Sequence, residues 1–138
     1  MTDAADRLDQ QLWDFVYAYD AAYDRAARAG SLSAAQACLL AQLMRGSRSM
    51  GELADELLCD ASNVTQLVTR LEAEGLVTRL PDPSDLRVKR VSITRAGRRV
   101  HRAVRRAFDF PSARIGRLTE QEQRELSQLL GKVLATEP

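Results

Sequence analysis

The sequence predicts a mainly α-helical fold carrying one small β-hairpin, and three observations predict it. Helical patterning, with apolar residues stepping by three and four, recurs in six segments. Three of those segments open on a Ser/Thr-x-x-Glu/Gln box, the signature of a helix N-terminus. One Pro- and Asp-rich stretch, flanked by strand-like runs, interrupts the helical pattern near residue 83.

The first helix is expected over about Asp6 to Arg28, with Leu8, Leu12, Phe15, Val16, Tyr19, Ala22 and Tyr23 on its apolar face and Gly30 ending it. Ser33 and Gln36 box a second helix through Cys38, Leu39, Leu40 and Leu43, stopping near Gly46. Ser49 and Glu52 box a short helix over Met50–Leu58. Asp60 is the N-cap expected for a helix over Ala61–Glu74, and Gly75 its stop. Leu76–Leu80 and Lys89–Ile93 read as paired strands, joined by a long polar tip at Pro81-Asp82-Pro83-Ser84-Asp85. Thr94 caps a fifth helix with Val100, Val104 and Phe108 among five arginines, and Pro111 ends or kinks it. Thr119 and Glu122 box the last helix, which carries Leu126, Leu129, Leu130, Val133 and Leu134.

Composition narrows the function classes. The 138 residues suit one domain, 45% hydrophobic and 28% charged. No apolar run is long enough to cross a bilayer, and the first residues lack a basic start followed by an apolar stretch. Two cysteines without metal-ligand spacing fit a reducing, cytoplasmic setting. The net charge of +1 hides an uneven distribution. Residues 1–44 carry three Arg against six Asp, residues 45–106 thirteen Lys/Arg against eight Asp/Glu, and residues 107–138 four against five. A basic middle between mildly acidic ends suits a polyanion-binding centre; charge alone fits a solvated mixed-charge surface equally well.

The short helix, the tight turn at Cys59-Asp60 and the helix after it form a helix-turn-helix candidate. At about 100° per residue, Val64, Leu67, Val68 and Leu71 share one face of the second helix. Ser62, Asn63, Gln66, Thr69, Arg70 and Ala73 fall on the opposite one. That outer face is rich in hydrogen-bonding side chains and poor in acid, the chemistry that pairs with base edges and phosphates in a major groove. The hairpin adds Arg87 at its far end and Lys89 and Arg90 on the returning strand, and a thin Arg-bearing turn fits a minor groove. Asp85 is placed to orient Arg87 or Arg90 by a charge-assisted hydrogen bond.

These residues resemble a family. Gly51-Glu52-Leu53-Ala54, then Val64-Thr65-x-x-Val68-x-x-Leu71-Glu72-x-x-Gly75-Leu76-Val77, then Arg79-x-x-Asp82-Pro83-x-Asp85-x-Arg87-x-x-x-Val91-x-Ile93-Thr94-x-x-Gly97 look like the signature of MarR-type regulators. The match spans about Ser33 to Gly97. The resemblance implies a winged helix-turn-helix over 33–97, with residues 1–32 and 98–138 supplying dimerisation helices in a single domain. It implies a homodimeric transcription regulator, a repressor released from inverted-repeat DNA by a small aromatic effector. Ser62 to Arg70, Thr65 included, would read the major groove, and Arg87, with Arg90 nearby, the minor groove. Leu58 departs from the pattern, since such turns often have Gly there.

Other chemistry finds little support. His101 is the only histidine and lies on an arginine-rich helix without a nucleophile near it in sequence, so no enzyme is expected. One His and two separated Cys do not make a metal site, and no cofactor is expected. Cys38 and Cys59 read best as buried structural residues. A thiol-based oxidative sensor on the same scaffold is the alternative reading. Trp13, Tyr17, Tyr19 and Tyr23 read as core or dimer interface ahead of a ligand pocket.

Overall fold

The computed structural model describes residues 2–57 and 61–136, the side chains of Ala61 and Ser62 excepted. The chain forms two compact units, Met1–Phe108 and Asp109–Pro138.

The first unit opens on α1 (Asp3–Ala29), which starts at a Thr2 cap. Gly30 ends it as the C-cap, as expected. The left-handed residue is Ser31, at φ 58°, while Gly30 has ordinary backbone. Gly30 is required instead by a close approach: a Cβ there would lie 2.8 Å from Val100. Helix α2 (Ala34–Leu43) is fixed by the Ser33/Gln36 box, both of whose hydrogen bonds form. Then come β1 (Arg48–Ser49), α3 (Met50–Glu56), boxed by Ser49 and Glu52, and α4 (Ala61–Ala73). The expected Asp60 cap, Leu58 and Cys59 lie outside the described residues. Gly75 ends α4 in the left-handed region, and the Leu76 N–H donates back to the Leu71 carbonyl, satisfying a terminal acceptor.

The hairpin consists of β2 (Val77–Asp82) and β3 (Asp85–Ile93) in a three-stranded antiparallel sheet of order β1-β3-β2. The long tip expected over residues 81–85 is a two-residue turn, Pro83-Ser84, between Asp82 and its partner Asp85. Pro81 is tolerated within β2 because that strand lies at the sheet edge. An irregularity after Pro81 absorbs the extra length of β3. The strand β1 had no sequence signal, being two residues paired with Val91 and Arg90.

Helix α5 (Arg95–Ala107) follows the Thr94 cap. The Thr94 hydroxyl donates to the Gly75 carbonyl at 2.7 Å and accepts from the Gly97 N–H at 3.0 Å, so one residue joins the ends of α4 and β3 to the start of α5. A Cβ on Gly97 would overlap the Leu76 carbonyl oxygen and come within 2.7 Å of Ile93 Cγ1. Helices α1 and α5 run antiparallel, since Gly30 meets Val100 while Tyr19 and Tyr23 set their rings edge-on against Phe108. The core holds Leu39, Leu40, Leu43, Leu53, Val64, Val68, Leu71, Val77 and Val91, all essentially without exposure.

The second unit holds α6 (Phe110–Ile115) and α7 (Glu120–Leu134). Pro111 stands in the first turn of a separate short helix, α6, where its missing N–H costs nothing. Helix α7 has its expected Thr119/Glu122 box and exposes Leu126, Leu129, Leu130, Val133 and Leu134.

Candidate nucleic-acid interface

Helix α4 divides as its sequence angles require. Val64, Leu67, Val68 and Leu71 are buried, and Asn63, Thr65, Gln66, Thr69 and Arg70 are exposed. The buried set docks α4 on the Leu-rich core, so the polar set is held outward by packing. The Ser62 side chain lies outside the described residues. Thr69 donates to the Thr65 carbonyl at 2.8 Å and accepts from Arg79 Nη2 at 3.4 Å, so its hydroxyl is engaged within the protein. Arg70 has no ion pair among the described residues.

The wing is organised by its two aspartates. Asp82 Oδ1 accepts from the Ser84 N–H at 2.8 Å and the Ser84 hydroxyl at 2.6 Å, closing the turn. Asp85 Oδ1 accepts from both the backbone N–H and Nε of Arg87 at 3.1 Å. Asp85 Oδ2 lies 3.3 Å from Arg87 Nη2. The Arg87 side chain is nonetheless 91% exposed: its direction is set while its outer face stays open. The Arg87 guanidinium, aided by its backbone N–H, holds the Asp85 carboxyl below its usual range. Hydrogen bonds from Ser84 do the same for Asp82.

Arg90, grouped with Arg87 in the sequence, is placed apart from this exposed set. Its Nη2 donates to the Ser47 carbonyl at 2.8 Å, its Nε to the Ser47 hydroxyl at 3.0 Å and its Nη1 to Asp82 Oδ2 at 3.4 Å. It ties the wing base to the segment before α3. Asp85 therefore orients Arg87, and Asp82 meets Arg90. Sequence reasoning missed Arg79, which donates through Nη2 to Glu72 Oε1 at 3.1 Å and through its backbone to Glu72 Oε2 at 3.2 Å, locking β2 to α4. Both residues stand in the quoted motif, but pairing them across Gly75 needs the turn geometry. Leu86, 73% exposed beside Arg87, was also unforeseen.

A cavity of about 320 Å³ opens between α1, α2 and α5, lined by Tyr19, Tyr23, Cys38, His101, Arg105 and Phe108 among others. Tyr19 and Tyr23 thus face a pocket, while Trp13 and Tyr17 are exposed. Cys38 is half-buried on the cavity wall rather than enclosed, because α2 turns that position toward the opening between helices. Burial pushes the Tyr23 hydroxyl well above its usual range, with the neighbouring Cys38 thiol adding to the shift. Burial, then Arg105 and Arg102, push His101 below its usual range. Among the described residues no group of His, Cys, Asp and Glu is placed to hold a metal ion, and no helix is long and apolar enough to cross a membrane.

Comparison with known proteins bears on this geometry. A model of the MarR family matches residues 31–87. The chain is 32% identical over 102 residues to the transcriptional activatory protein BadR of Rhodopseudomonas palustris, covering 71% of this chain and 58% of BadR. It is 36% identical over 77 residues to the uncharacterized HTH-type transcriptional regulator YxaD of Bacillus subtilis, covering 55% and 54%. The chain therefore spans little more than half the length of these relatives. Among solved structures, a MarR mutant from E. coli complexed with operator DNA superposes with a TM-score of 0.76 at 26% identity, covering 94% of each chain.

Proposed function

This chain belongs to the MarR-type winged helix-turn-helix regulators, and from that premise we propose that it binds double-stranded DNA sequence-specifically, as a cytoplasmic homodimer, to regulate transcription. The observation that carries the reading is the division of α4: a fully buried apolar face holds Asn63, Thr65, Gln66 and Arg70 outward on a rigid helix. A helix of this diameter enters the major groove, and amide side chains pair bidentately with adenine. Arg87, directed by Asp85, is the minor-groove contact; Arg90 serves to position the wing. Two copies would place two α4 helices on an inverted repeat with half-sites roughly one helical turn apart. The exposed apolar faces of α1 and α7 supply surface for such pairing.

Selection from a random duplex library tests this, and an inverted repeat is the expected product. A base-substitution scan of that repeat should then show that Gln66→Ala flattens the preference at one symmetric pair of positions, by about 1–3 kcal/mol of discrimination. Identical profiles for variant and parent would remove Gln66 as a reader.

The mode of control we infer is repression relieved by a small aromatic anion in the α1–α2–α5 cavity. Tyr19, Tyr23 and Phe108 supply ring contacts, and Arg105 the counter-charge. Benzoate-type probes should raise the melting temperature of the parent and weaken its DNA binding. Equal responses from Arg105→Ala would argue against this site. The thiol-sensor alternative has one observation in its favour, the opening of Cys38 onto that cavity beside Tyr23. It requires peroxide to abolish DNA binding in the parent and to leave Cys38→Ser unaffected.

A further inference from the structure

Helix α5 is more strongly cationic on one side than its contacts explain. At 100° per residue, Arg95, Arg98, Arg99, Arg102, Arg105 and Arg106 all fall within an arc of roughly 120°. All six are exposed. None forms an ion pair among the described residues. Six guanidinium groups on one face repel one another, so this surface favours an anionic neighbour.

Distance argues against DNA as that neighbour. Strand β3 carries the chain from Asp85 at the wing tip to Ile93, eight residues on and about 26 Å at 3.3 Å per residue. Helix α5 begins beyond that point, joined through Thr94 to the C-terminal end of α4. The arginine face therefore belongs to the end of the unit away from the wing tip.

The acidic counterpart is on α1. That helix is 27 residues long, about 40 Å, against 13 residues and about 20 Å for α5. Its C-terminal part meets α5 from Gly30 against Val100 to Tyr23 and Tyr19 against Phe108, and its N-terminal part extends beyond that last contact. The overhang has an apolar face with Leu8, Leu12 and Phe15. A second edge presents Asp6, Asp9, Trp13, Tyr17 and, further on, Asp20. Trp13 and Tyr17 are 53% and 67% exposed, with ring centroids 5.7 Å apart. Carboxylates interleaved with aromatic faces form a surface suited to arginine, which pairs with the first and stacks on the second. Asp6 to Tyr17 and Arg95 to Arg106 each span eleven residues, about 16 Å of helix.

We propose that the Asp6–Asp9–Trp13–Tyr17 edge of α1 docks on the Arg95–Arg99–Arg102–Arg106 face of α5 in a second copy of this chain, and that this reciprocal contact selects the partner. The inference rests on the homodimer reading above and adds the strips that decide which surfaces meet. Both strips lie in the same compact unit, and a two-fold axis makes the contact twice.

Charge reversal in both strips tests it by sedimentation of the full chain. The parent is expected to be a dimer at micromolar concentration. Asp6→Arg with Asp9→Arg, and separately Arg99→Glu with Arg102→Glu, should each raise the dissociation constant at least tenfold while circular dichroism stays unchanged. Mixing the two double variants should restore a heterodimer, because both of its reciprocal contacts then pair opposite charges. Trp13 is the only tryptophan, so its emission should shift to the blue on assembly and return toward red with added salt. A monomeric parent overturns the homodimer reading and this contact together. A dimeric parent whose dissociation constant neither reversal changes overturns the strips alone. Arginine reversals that leave the dimer intact but weaken DNA binding would assign the face to phosphate instead.

Discussion

Arg87 carries its charge at every accessible pH, yet its usefulness depends on Asp85, which fixes three of its donors on one side. In the proposed complex, an arginine steered in this way would sense the narrow, negative minor groove more than any base identity. Replacing Arg87 by Ala should weaken binding to the selected duplex and to a scrambled one alike, and lower the salt slope by about one counterion. Asp85→Ala should give a smaller loss in the same direction, which anisotropy titrations at several salt concentrations will measure. An unchanged affinity and slope for Arg87→Ala removes the minor-groove contact. The pH dependence has a defined sign. The folded Asp85 carboxyl lies below its ordinary value of 3.8, so the order it gives the wing is complete above that value and is lost as pH falls through the depressed one. Wing function should not vary between about pH 5 and pH 8 on account of this group.

At the scale of elements, α4, the sheet and α5 meet in one closely packed joint. Thr94 ties all three together, and Gly97 leaves no room for a methyl group against the Leu76 carbonyl. Gly97→Ala should therefore lower stability by about 1–3 kcal/mol through overpacking. Gly131→Ala, in α7 with nothing near its Cβ position, should raise it by about 0.5–1 kcal/mol from helix propensity. Thermal unfolding of both variants checks the pair, and a neutral Gly97→Ala contradicts the close approach. This contrast also explains what was legible. The capping boxes and the two faces of α4 were readable because they depend on residues three and four apart. The strand β1 was not, since its pairing crosses some forty residues. Nor was the role of Arg90, whose partner Ser47 is 43 residues away. The hairpin tip was read as too long because Pro81 and Asp82 look like turn residues, yet an edge strand with an irregularity accommodates both. The pocket position of Cys38 depends on how α1, α2 and α5 pack, which a run of apolar neighbours does not reveal.

For the molecule as a whole, the uneven charge of the sequence acquires a division of labour. The basic middle separates into a wing and recognition helix at one end and the arginine face of α5 at the other, while the acidic residues of α1 lie on an exposed overhang. Under the proposed function, affinity would come from phosphate contacts and specificity from two copies of one helix face. Anisotropy titration of the full chain tests that claim most directly, using the selected inverted-repeat duplex and a scrambled duplex of equal length over a series of salt concentrations. Two chains should bind each duplex, log affinity should fall linearly with log salt, and the inverted repeat should be preferred at least about a thousandfold. Equal affinity for the two duplexes, or saturation at one chain per duplex, would contradict it.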